Sequence, residues 1–111
     1  MEMNIIERVL KFRDDRNWRQ FHNPKDLAIS ISLEAAELLE NFQWSGIDTE
    51  VAEKANEIQE ELADVLIYCI LLADSMNIDI DDIIRSKLEK NEEKYKIEKC
   101  YGNKKKYTEL E

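Results

Sequence analysis

Turn-forming residues are scarce in this chain: two glycines and one proline stand among 111 residues. A fold of many short strands needs frequent turns, so the scarcity argues for long helices. Cysteine is equally thin. Cys69 and Cys100 form no C-x-x-C pair and no disulfide framework, and Cys69, inside an apolar run, reads as a small core residue. The longest apolar block, VLIYCILLA at 65–73, is too short to span a bilayer, so no membrane partner is expected. Positive charge is the minority sign, with 16 basic against 25 acidic residues and a net charge of −9. That balance excludes a general grip on a nucleic acid polymer. The start of the chain has no basic stretch leading into an apolar one, so no secretion signal is read and a cytoplasmic protein is expected. The length suits one domain, and 43% hydrophobic residues suffice for a core. An acidic protein that handles phosphates needs a bridging cation.

Four helical segments and a tail are expected. Segment one runs from about Asn4 to Trp18, with apolar residues at 5, 6, 9, 10 and 12. NWRQFHNPKDL breaks that pattern, and Pro24 suits the first turn of segment two, which runs to about Phe42. WSGIDTE is a loop with Asp48 or Thr49 as N-cap candidates. Segment three spans about Glu50 to Met76, and NIDIDD leads into segment four, ending near Lys96. The acids of that lead-in suit a helix N-terminus, since a calcium loop would need a Gly and a final Glu. Domain 1–97 and an irregular basic tail, 98–111, complete the reading.

The helical wheel is more informative. With Ile31 at zero and about 100° per residue, Leu27, Ile31, Ala35, Leu38, Leu39 and Phe42 form one apolar stripe. Glu34 then falls at about −60° and Glu37 at about −120°. With Ile58 at zero in segment three, Leu62, Val65, Leu66, Cys69, Leu72, Ala73 and Met76 form the stripe. Glu61 and Asp64 again fall at about −60° and −120°. If the two helices pack together, four carboxylates converge at one edge. Glu40, at about 180°, is apart from them. Segment three also carries Ile67, Ile70 and Leu71 off the stripe, so it is covered on more than one face, which suggests a second subunit.

Acids three apart are common in a chain with 25 of them, and most are solvated faces. Two pairs at equivalent stripe edges on separate helices carry more weight. Like charges at that spacing repel, and a divalent cation reverses the sign. Carboxylates with no Cys or His beside them make a hard oxygen site, suited to Mg²⁺ or Mn²⁺ rather than Zn²⁺. Lys87, Asn91 and Lys94 share a basic-polar face of segment four. That face is either solvated or a grip for phosphates. Trp18, Phe21, His22 and Trp44 cluster around helix ends, where aromatics cap a core or stack a base.

SLEAAELLENFQW followed by QEELADVLIY resembles the E-x-x-E…E-x-x-D signature of the MazG-like, all-α nucleoside triphosphate pyrophosphatases. The likeness leans to the dCTP pyrophosphatase branch. RNWRQFHNPKDL resembles that branch's W-x-Q-F-H-x-P-x-x-L entry to the second helix, SKLEKNEEKY its K-x-x-x-N-x-x-(R/K)-Y helix and KYTEL its tail. The resemblance implies an all-α four-helix bundle assembled across subunits, a homo-oligomer in the form of a tetramer, a dimer of dimers. It implies that Glu34, Glu37, Glu61 and Asp64 are the Mg²⁺ ligands and the catalytic acids. Trp18, His22, Trp44 and Tyr68 would line the nucleoside pocket, and Lys87, Asn91, Lys94 and Tyr95 would contact phosphates or close the site. Two departures stand out. Leu33 replaces a Glu of the broader pattern, and Val9 stands near a first-helix His found in some dCTP-branch members.

The expected activity is a Mg²⁺-dependent conversion of a (deoxy)nucleoside triphosphate, dCTP or a modified dCTP, to the monophosphate and pyrophosphate. Two other readings remain open at this stage. One is a related enzyme with another substrate, an all-α dUTPase or a phosphoribosyl-ATP pyrophosphohydrolase. The other is a non-catalytic helical oligomer.

Overall fold

A computed structural model describes residues 2–110, and every described element is helical. Helices α1 (Ile5–Asp15), α2 (Pro24–Glu40), α3 (Ala55–Ser75), α4 (Ile80–Lys94) and the single turn α5 (Ile97–Cys100) follow one another. Short 3₁₀ turns occupy Arg19–Phe21, Ala52–Lys54 and Tyr107–Glu109. The all-α expectation holds. The last four-residue helix and 3₁₀ turn fall where the sequence shows no helical periodicity. No helix among the described residues is long and apolar enough to cross a membrane. The chain forms two compact units, one up to Ile78 and one from Asp79 onward.

In the first unit, each helix has an identifiable start. The Asn4 side chain accepts the Glu7 amide at 2.8 Å, satisfying one of the donors that every helix start leaves over. Asn23 does the same for α2, accepting the Asp26 amide at 2.9 Å, with Pro24 in the first turn as expected. The entry to α3 differs from the sequence reading. Asp48 accepts the amides of Glu50 and Val51, which folds the loop rather than capping the helix. The chain then passes through Val51 at φ 49° and the turn Ala52–Lys54 before α3 begins at Ala55. A β-branched residue in the left-handed region is strained, and Val51 is held there by burial.

The ends of α1 and α3 are alike. Asn17 and Asn77 both take positive φ, 55° and 54°. The Trp18 amide then donates to the Arg13 carbonyl and the Ile78 amide to the Ala73 carbonyl, closing the same cap at both helix ends.

Helix α2 packs mainly on α3, and α1 lies more sparsely on α3. Buried Val9, Leu27 and Leu71 form the core, with Leu10, Tyr68, Ile70 and Leu72 packed around them. The wheel is corrected here. Leu71, placed off the stripe, is buried, while Leu39 is 67% exposed and Leu66 55% exposed on the stripe itself. Helix α3 is apolar around much of its circumference, and α1 takes the side that carries Leu71. Periodicity gives directions on a helix, not which direction a neighbour covers first.

In the second unit, Asp79 accepts the Asp82 amide and so caps α4, as the acids of that lead-in suggested. Arg85 pairs with Asp81 one turn earlier. Ile83, Ile84 and Leu88 are exposed on this helix.

Candidate active site

Acids on two helices meet in the first unit. Carboxylate oxygens of Glu34 on α2 and of Glu61 and Asp64 on α3 all lie within 4.8 Å of one another. Glu37, the fourth acid expected there, is not in that group, and it acts on Glu34 and Glu61 by raising both carboxyls. The convergence follows from the E-x-x-E and E-x-x-D spacings, which put each pair on one helix edge. Its electrostatics are unfavourable without a cation. Burial, Glu37, and the charges of Asp64 and Glu61 push the Glu34 carboxyl up to about 7. Burial first, then Glu37 and Asp64, raise Glu61 as well.

Glu34 and Glu61 each keep one buried oxygen, Oε2, with no hydrogen-bond partner. A buried acceptor left unmade is costly. A divalent cation would satisfy both oxygens and reverse the repulsion, and the oxygen donors of Glu34, Glu61 and Asp64 match a hard ion. The residues therefore fit the metal that the sequence led us to expect.

Beside the acids lies a mainly apolar cavity of about 380 Å³. Its walls include Val9, Phe12, Trp18, His22, Tyr68 and Leu71, and Asp64 faces it as well. Asp64 thus belongs to both the acidic cluster and the cavity wall. Phe12 and Trp18 meet edge to face at 5.7 Å, and the Arg16 guanidinium lies 3.7 Å over the Phe12 ring. His22 is held below its usual pKa by burial and by the nearby Arg13 charge. Both favour the neutral imidazole, and its Nδ1 is buried without a partner.

Of the residues expected to line a nucleoside pocket, Trp18, His22 and Tyr68 are on this wall. Trp44 is not. It sits on the α2–α3 loop at φ 64° and is 98% exposed. Lys87, Asn91 and Lys94 lie on α4, and Tyr95 caps its C-terminal end, all in the second unit. Phe12, Ile67 and Arg13 also line the cavity and were not singled out from sequence. For Arg13 a signal existed: it stands four residues after Val9, on the apolar stripe of α1, where a charge is out of place.

The profile of the MazG-like family matches residues 29–110. The dCTP pyrophosphatase 1 of Mus musculus is 38% identical over 106 residues, which cover 90% of this chain and 62% of that protein. The Homo sapiens protein of the same name is 35% identical over 105 residues, with the same coverage. The chain thus spans about three fifths, 62%, of the length of these curated relatives. A solved structure of a pyrophosphatase from Archaeoglobus fulgidus DSM 4304 aligns with a TM-score of 0.74 at 44% identity, covering 86% of this chain and 96% of that one. With the paired acids, the helical fold and these matches together, the chain belongs to the MazG-like family.

Proposed function

We propose that the protein is a Mg²⁺-dependent nucleotide pyrophosphohydrolase that converts a deoxynucleoside triphosphate, dCTP or a base-modified dCTP, to the monophosphate and pyrophosphate. The observation that carries this reading is the double role of Asp64. A base held between Trp18 and Tyr68 places its phosphates beside the carboxylates of Glu34, Glu37, Glu61 and Asp64. The names of the relatives support the substrate class.

Each part of the site has a task. Glu34, Glu37, Glu61 and Asp64 would hold the ion. Bound there, Mg²⁺ would offset charge on the triphosphate and ease deprotonation of the attacking water. A carboxylate takes the water proton, with Glu60 and Glu61 the candidates. The water oxygen bonds to the α-phosphorus as the bond to the α,β-bridging oxygen breaks, and pyrophosphate leaves. The aromatic walls exclude water from the base, and the neutral His22 ring offers it one hydrogen-bond partner.

The roles of Lys87, Asn91, Lys94 and Tyr95 at the phosphates rest on the family resemblance. A homotetramer with a bundle built across subunits is the proposed assembly, supported by the exposed Leu33, Leu39, Leu62 and Leu66 on α2 and α3. Nucleotide-pool cleansing in the cytoplasm is the proposed setting.

The test is a panel of canonical and 5-modified nucleoside triphosphates with Mg²⁺, scored for pyrophosphate release. Preferential turnover of cytosine nucleotides supports the reading. Preference for dUTP or phosphoribosyl-ATP reassigns the substrate, and no turnover of any member overturns the enzyme reading.

A further inference from the structure

Arg13 is 3% exposed, yet it carries a full positive charge. Its Nη1 donates to Asp74 Oδ2 at 2.6 Å and its Nε to Asp14 Oδ1 at 2.9 Å. The Asp74 contact reaches from the last turn of α1 to the last turn of α3. Among the described residues of the first unit it is the only ion pair between separate helices.

Three features make this contact more than a surface bridge. It joins α1 to α3 where their packing is sparse, while α2 and α3 hold each other extensively. It lies where two helix C-termini meet, each with carbonyls carrying partial negative charge that a guanidinium offsets. Arg13 also holds Trp18 through its backbone, because its carbonyl accepts the Trp18 amide at 3.1 Å. One residue therefore grips α3 with its side chain and the aromatic wall with its main chain. Around it the cavity has walls from both sources, Phe12 and Trp18 on one side and Tyr68 and Leu71 on the other.

We infer that Arg13 and Asp74 form a positioning latch that holds the Phe12–Trp18 wall against α3 and so sets the affinity of the cavity for a nucleotide base. The latch touches neither the acids nor the phosphates. Its loss widens the cavity but leaves the α2–α3 acid cluster in place, so it acts on substrate binding and not on the chemical step. The part about the nucleotide rests on the function proposed above, and the part about the wall does not.

The experiment uses the intact chain carrying Trp44→Phe, which leaves Trp18 as its one tryptophan. Asp74→Ala cuts the tie to α3 while Arg13 keeps Asp14, and Asp74→Glu retains a carboxylate. Acrylamide quenching of Trp18 should rise in Asp74→Ala and return towards the parent value in Asp74→Glu. In the same proteins, KM for the preferred triphosphate should rise about tenfold in Asp74→Ala, equivalent to about 1.4 kcal/mol. The kcat should stay within about twofold, because an interaction common to ground and transition states changes KM alone. Should Asp74→Ala fail to fold, the double variant Arg13→Met with Asp74→Leu replaces the pair by apolar groups, a change proteins often accept. Raised quenching is expected there too. Unchanged quenching in the folded variant overturns the latch, as does a fall in kcat at constant KM. A parent protein that turns over nothing refutes the proposed activity instead, and the quenching arm still decides the latch.

Discussion

Glu34, Glu37, Glu61 and Asp64 sit inside helices, whereas Trp18 and His22 lie outside them, on the connection between α1 and α2. The acids are placed by a helix period and by the broad packing of α2 on α3. The aromatic wall is placed by a left-handed Asn17, a cap bond and one ion pair. The first arrangement is rigid because many contacts fix it, and the second hangs on few. Chemistry that needs carboxylates at fixed separations belongs on the first. Under the proposed function, selection among bases, which tolerates adjustment, falls to the second.

The contrast can be broken first at the acids. Glu61→Gln or Asp64→Asn should lower kcat by about 10²–10³-fold, the value of several kcal/mol of lost charge stabilisation. Mg²⁺ should raise the thermal midpoint of the parent, and the same variants should lose that rise, since a ligand stabilises only the state that binds it. At the wall, Trp18→Ala should raise KM by about ten- to a hundredfold with kcat nearly unchanged, the measured worth of one stacked base. A collapse of kcat in that variant would erase the division between the two regions.

A smaller effect concerns pH. With EDTA present, the Glu34 carboxyl at about 7 lies above its unfolded value of 4.5. The folded state therefore binds the proton more tightly, and this contribution to stability is full below 4.5 and lost as pH rises through 7. The thermal midpoint should fall across that window, and Glu34→Gln should flatten the slope. A parent midpoint that climbs between those pH values would contradict the repulsion described for the cluster. The smallest change is expected at the helix ends, where Asn17→Gly or Asn77→Gly relieves a left-handed asparagine. Each should move stability by no more than about 1 kcal/mol in a denaturant titration.

Much of the acidic edge was legible in the sequence because a wheel needs only spacing. It put Glu34, Glu61 and Asp64 on facing edges, and the structure brings their oxygens together. The wall was legible only as a set of residue types. The loop from Trp44 to Val51 passes through three positive-φ residues, Trp44, Gly46 and Val51, and no periodicity describes such a path. Hence Trp44, which the family resemblance put at the nucleoside pocket, lies exposed on that loop, and the helix cap expected at Asp48 or Thr49 is not formed. Leu71 was set off the stripe because a wheel does not know which neighbour arrives. Arg13 went unread because a single charge among apolar positions looks like noise until Asp74, distant in sequence, supplies its partner.

Asp64 faces both the cavity and the acid cluster, and that has a thermodynamic consequence. Two ligands that meet at one carboxylate do not bind independently. Whatever factor a bound cation adds to nucleotide affinity, the nucleotide must return to the cation, because coupling free energy is reciprocal. Under the proposed function, loading with metal and binding of the nucleotide are therefore two readings of a single linkage.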